Sequence, residues 1–100
     1  MYTRVTRYSF NGSNAEAEGA KLYAQAKPMW SGQQGFHSMQ RYRIVEGPNA
    51  NQQMVVVRFN SKNDMMKARE TVGPQRDQLL KKLDEVGVKT EEAMELEEIT

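Results

Sequence analysis

The sequence is poor in histidine and cysteine, the side chains best poised for acid–base and nucleophilic chemistry near neutral pH. There is one histidine, His37, and no cysteine. An imidazole is the side chain that ordinarily titrates near neutrality, so His37 is read in three ways: a polar residue at a strand end, a general base, or a lone haem ligand. Without cysteine there is no thiol nucleophile, disulfide or iron–sulfur ligand. One histidine also leaves too few donors for a structural zinc site. The sequence has no Gly-x-Ser-x-Gly elbow, Walker loop or dinucleotide fingerprint, and Gly32-Gln33-Gln34-Gly35 matches no phosphate cradle. No metal and no cofactor is expected.

The polar side chains that remain interesting are Tyr8, Ser38, Gln40 and Tyr42. Their meaning depends on which elements carry them. Tyr2 to Phe10 is rich in β-branched and aromatic residues and reads as a strand, with Tyr2, Arg4, Thr6, Tyr8 and Phe10 on one face. After the Asn11-Gly12-Ser13 turn, Ser13 and Glu16 form a capping-box pattern for a helix that Pro28 is expected to end. Gly19 lies on that helix's apolar stripe and would let it approach its neighbour closely.

Two more strands are expected, Phe36 to Glu46 and Gln53 to Asn60, joined by a turn over Gly47 to Asn51. Ser61 to Asp64 opens a second helix, with a break and restart expected at Gly73-Pro74. Leu79, Leu80, Leu83 and Val86 form the stripe of its second half, and Gly87 suits its C-terminal cap. Ala93 to Ile99 alternates as a last strand. The order β-α-β-β-α-β is that of the ferredoxin-like α+β fold, a four-stranded antiparallel sheet. Right-handed crossovers put both helices on one face of it.

Strict alternation then sorts the strands into two faces. The helix-covered face receives Tyr8, Ser38, Gln40, Tyr42 and Phe59. Buried hydroxyls and amides need partners: they bond one another, backbone or water, or they line a cavity that orients a small, mostly apolar ligand. Trp30, at the end of the first helix, is a pocket wall or a core plug. These six residues, Tyr8, Trp30, Ser38, Gln40, Tyr42 and Phe59, are the candidate ligand-binding set; no catalytic residue is assigned. The uncovered face receives Arg7, His37, Arg41, Arg43, Arg58, Glu95 and Glu97 among apolar neighbours. That mixture is expected to be a homodimer interface, with the arginines and glutamates pairing across it.

The same elements resemble the dimeric α/β-barrel superfamily, in particular its antibiotic-biosynthesis-monooxygenase type. Three places carry the resemblance: Thr6-Arg7-Tyr8-Ser9-Phe10 before a turn and an acidic helix start, Gly35-Phe36 at the entry to the second strand, where Gln34 replaces a Pro, and the second helix with Gly73-Pro74 ahead of Leu79 to Leu83. The resemblance spans nearly the whole chain and implies a dimer with a helix–sheet cavity in each subunit. The family's oxygenases carry a His late in strand two and an Asn and a Trp in strand three. The matching positions here are Tyr42, Val55 and Phe59, and the haem degraders' Asn–Trp–His set is not recovered. The implied function is cofactor-free oxygenation or isomerisation of a small aromatic or polyketide-like molecule; the alternative is a homodimer that binds a ligand or a protein without catalysis.

Composition sets the outer bounds. A chain of 100 residues fits one domain, residues 1–100. With 14 Lys+Arg against 13 Asp+Glu, the net charge of +1 offers nothing to nucleic acid or an anionic membrane. The third strand also lacks the aromatic motif with which RNA-recognition sheets stack bases. No run approaches the about 20 apolar residues of a membrane span, and the N-terminus lacks the apolar core of a secretion signal, so a cytoplasmic protein is expected.

Overall fold

The structure, a computed structural model, describes residues 1–100. It contains β1 (Tyr2–Phe10), α1 (Ala15–Ser31), β2 (Phe36–Arg43), β3 (Gln53–Phe59), α2 (Lys62–Glu85) and β4 (Val88–Glu97). The strands form one sheet in the order β2-β3-β1-β4, with every neighbouring pair antiparallel. This is the ferredoxin-like α+β arrangement. Both helices cover the face that carries Thr6, Tyr8, Val55 and Val57. The core lies between them and the sheet, around the fully buried Phe59 and Met65. Trp30 and Phe36 both meet the Phe59 ring edge-on, at 6.1 Å and 5.8 Å.

Neither proline ends a helix. Pro28 lies inside α1, which runs on to Ser31 because Trp30 is buried against the core and anchors the last turn. Pro74 lies inside α2, which is continuous from Lys62 to Glu85. A mid-helix proline removes one N–H···O bond and crowds the carbonyl four residues back. Pro74 and Glu70 are both exposed, so that carbonyl turns to water, while buried Val72 and half-buried Leu79 hold the helix on either side.

The caps divide similarly. Ser61 accepts from the backbone N–H of Asp64 at 3.1 Å, the expected start of α2. At α1 the N-cap is Asn14, with no side-chain cap bond, so the Ser13–Glu16 box does not form. Glu16 instead accepts from Arg43 and Gln53. Gly19 fulfils its expectation: a Cβ there would lie 3.2 Å from both Phe10 and Val88, so α1 rests directly on the sheet. Gly87 has φ +90°, and its carbonyl accepts from Asn11 N–H at 2.8 Å.

The strand faces depend on two register shifts, one in each edge pairing. Between β2 and β3 the shift falls between Phe36 and Ser38. Between β1 and β4 it falls between Arg7 and Tyr8, where Thr90 pairs with Tyr8 and Glu92 with Arg7, leaving Glu91 as the extra residue. A bulge of one residue moves every later side chain to the opposite face. β4 also begins at Val88, earlier than Ala93. The faces of the central strands β1 and β3 follow the expected alternation; those of β2 and β4 beyond the bulges are inverted.

Candidate functional site: a cavity between helices and sheet

A cavity of about 150 Å³ lies between the two helices and the sheet. Its position follows from the packing just described. Gly19, Leu22 and Ala26 present the small and aliphatic side of α1; Leu79, Leu80 and Leu83 present that of α2. Val55 and Val57 form much of the floor, and Tyr8, Phe10, Tyr23 and Trp30 supply aromatic walls. Set into this apolar lining are Arg4, Thr6, Arg41, Gln53 and Thr90. No carboxylate and no imidazole lines it.

Each polar group has a distinct environment. Burial pushes the Tyr8 phenol above its ordinary pKa of 10.0, while the Thr6 hydroxyl and the charges of Arg4 and Arg76 oppose the shift by less. Tyr8 therefore stays protonated through the neutral range, a donor rather than a base. Burial likewise raises Tyr23, whose hydroxyl donates to the Met39 carbonyl at 3.2 Å. The Arg41 guanidinium lies 5.3 Å from the centroid of the Tyr23 ring, a cation–π contact. Arg4 reaches Glu95 at 3.3 Å, and Glu95 also accepts from Tyr2 and Arg69, both at 2.6 Å. Buried Gln53 donates to Glu16 at 3.0 Å. The Nε of Arg76 is buried without a partner.

Of the six candidate ligand residues, Tyr8 and Trp30 line the cavity. Phe59 sits beside them in the core, fully buried, and does not line it. Ser38, Gln40 and Tyr42 are corrected to the uncovered face. The Phe36/Ser38 bulge inverts β2, so Met39 and Arg41 point to the cavity in their place. Tyr42 is 47% exposed and donates to Gln40 at 2.7 Å; Arg58 also donates to Gln40, at 3.1 Å.

Four of the seven interface candidates are corrected the other way. Arg41 packs on Tyr23 and Arg43 pairs with Glu16, both on α1. Glu95 pairs with Arg69 of α2, and Glu97, two residues on along β4, shares its side. Arg7 and Arg58 stay on the uncovered face, where Arg7 meets Glu92 at 3.6 Å. His37 is exposed in the bulge, its Nδ1 3.2 Å from the Ser38 hydroxyl. Rows of paired residues cross the uncovered face: Tyr42, Met54, Arg7 and Glu92; then Gln40, Val56, Val5 and Met94; then Ser38, Arg58, Thr3 and Leu96. Met94 and Leu96 are 41% and 47% exposed.

The polar lining residues that sequence reasoning did not single out are Arg4, Thr6, Gln53 and Thr90, and Arg41 was expected on the opposite face. Alternation along β1 already placed Arg4 and Thr6 beside Tyr8. Nothing local marked Arg41, because its direction depends on the bulge. No set of three His, Asp or Glu side chains comes together to hold a metal ion, and no helix is long and apolar enough to cross a membrane.

No protein-family model matches the sequence, and no curated protein matches it. Solved structures do match, along nearly the whole chain. SnoaB, a cofactor-independent oxygenase from Streptomyces nogalater, superposes with a TM-score of 0.75 at 17% identity, covering 99% of this chain and 93% of its own. A candidate antibiotic biosynthesis monooxygenase from Deinococcus radiodurans gives 0.78 at 10% identity, over 100% of this chain and 94% of its own. One from Bordetella bronchiseptica gives 0.72 at 14% identity, with 99% and 97% covered. The chain thus shares the α+β fold of these monooxygenase structures.

Proposed function

We propose that residues 1–100 act as one domain that binds a small, largely apolar aromatic molecule in the helix–sheet cavity and oxygenates it without a cofactor. The observation that supports this reading is the cavity itself: aromatic and aliphatic walls carrying the protonated Tyr8 phenol and the guanidinium groups of Arg4 and Arg41. In cofactor-free oxygenation the substrate, an enol or phenol, supplies the electrons and reacts as its anion. Cationic side chains at the rim of a largely apolar cavity favour that anion. A ligand acidic enough to give its proton to bulk water enters as the anion, so the step asks no base of a lining that holds neither carboxylate nor imidazole. Tyr8 would donate to the oxygen on which charge develops. The test is oxygen consumption on a panel of phenols and quinols. Turnover that falls at least about tenfold in Tyr8→Phe, the size of one charge-assisted hydrogen bond, supports the reading.

The lack of a general base in the lining favours a second reading, a ligand-binding protein without catalysis. Binding followed by Trp30 fluorescence, with no oxygen uptake on the whole panel, would select it over the first.

The working assembly we propose is a homodimer through the uncovered sheet face. The support is the apolar middle row of that face, Val56, Val5 and Met94, flanked on one side by the row that holds Arg7 and Glu92 and on the other by the row that holds Arg58. An apolar middle with a charged rim is the usual composition of such a contact.

A further inference from the structure

We propose that the natural ligand of the cavity is an aromatic acid with a body of about one ring, its carboxylate held by Arg41. This rests on the ligand-binding reading of the cavity and adds to it the charge and size of what binds. The charge comes from the lining, which holds two guanidinium groups and no carboxylate. The neighbouring acids are already engaged: Glu16 by Arg43 and Gln53, Glu95 by Tyr2, Arg4 and Arg69. Arg41 has no acidic partner; its one defined contact is the face of Tyr23. An apolar cavity with unmatched positive charge selects an apolar anion, and a planar guanidinium grips a carboxylate through paired N–H donors.

The size comes from the volume. An apolar cavity of about 150 Å³ takes a molecule the size of benzene; this one has about 150 Å³ and opens to solvent beside the exposed Arg41 and Leu80, so the buried part of the ligand is about one ring. Its walls include the rings of Tyr8, Phe10, Tyr23 and Trp30, which favour an aromatic body by edge and offset contacts. Arg41 is exposed, so a carboxylate bound there keeps part of its hydration while the ring is buried.

The chain has a single tryptophan, and it lines the cavity, so its fluorescence reports occupancy. The experiment titrates the whole chain at pH 7 and low salt with benzoate, with its neutral counterpart benzamide, and with octanoate. Benzoate is expected to bind at least about tenfold more tightly than benzamide, the worth of one charge-assisted hydrogen bond. Arg41→Gln should remove most of that preference, and Arg41→Lys should keep part of it. Lys67→Gln, at an exposed position of α2 outside the lining, should leave it unchanged. Equal binding of benzoate and benzamide would overturn the acid while leaving the cavity as an apolar binding site. Octanoate binding more tightly than benzoate would overturn the ring. No binding of any of the three would overturn this inference together with the ligand-binding reading. An unchanged preference in a folded Arg41→Gln, confirmed by its melting curve, would remove Arg41 from the site.

Discussion

The hydroxyl of Tyr2 donates to Glu95 at 2.6 Å, tying β1 to β4 on the side of the sheet that the helices cover. Arg69 of α2 donates to the same carboxylate at 2.6 Å, so one acid joins two strands and a helix. The Tyr2 hydroxyl, then Arg69 and Arg4, hold the Glu95 carboxyl below its ordinary value of 4.5 despite partial burial. A depressed folded-state pKa gives stability that is fully present above the unfolded value and is lost as pH falls through the folded one. Glu95→Gln should therefore lower stability at pH 7 by about 1 kcal/mol, a partly exposed network being worth little more. Denaturant melts across pH should show the gap to wild type closing in acid. A gap independent of pH would show that the carboxylate charge does not carry the effect.

The uncovered face yields a prediction about assembly. Leu96 is 47% exposed and sits on that face, whereas Arg41 packs on Tyr23 of α1 on the opposite one. An unpaired charge buried in a dimer costs about 3–5 kcal/mol. Leu96→Asp should thus weaken association more than about a hundredfold. Sedimentation should show it moving toward the 11.5 kDa single chain at concentrations where the parent protein is expected to sediment at twice that mass. Arg41→Glu should leave the assembly unchanged; dissociation by that variant would place the interface on the helical side.

Tyr8→Phe separates packing from ligand chemistry. The ring keeps its volume and only the hydroxyl is lost, so melting should report a change of no more than about 1.5 kcal/mol. Turnover or affinity for a phenolic ligand should drop by more than that loss of stability. Equal losses in both would make Tyr8 a core residue alone.

Pro74 tests the continuity of α2. Inside a helix, proline lacks the N–H that would reach the Glu70 carbonyl. Pro74→Ala should restore that bond and stabilise the protein by about 1–2 kcal/mol, after allowing for the greater freedom of the unfolded chain. A neutral or destabilising result would instead indicate a helix that restarts at Pro74, where proline in the first turn is favourable.

The sequence by itself determined the element order, and with it the fold class. Hydrophobic alternation, the Ser61 cap and the turns at Asn11-Gly12 and around Gly47 are local signals, and local signals survive into the structure. It also determined the faces of β1 and β3, because a central strand is paired on both sides and keeps its period of two. That was enough to place Tyr8 on the cavity side. Helix length was less legible. Pro28 and Pro74 are local breakers, and both are overridden because Trp30, Val72 and Leu79 are held by distant parts of the chain. Only the tertiary structure decided the faces of β2 and β4. Each is an edge strand with a bulge, and edges are where an extra residue is tolerated, since one side has no ladder to disrupt. In β2 both faces mix apolar and polar residues, and in β4 the alternation is clear but sets Met94 and Leu96 on the uncovered face and Glu95 under the helices, so composition does not mark the inversion. One residue of slip in each moved Tyr42 out of the cavity, brought Arg41 into it, and turned Glu95 from an expected partner of another chain into a partner of Tyr2 and Arg69.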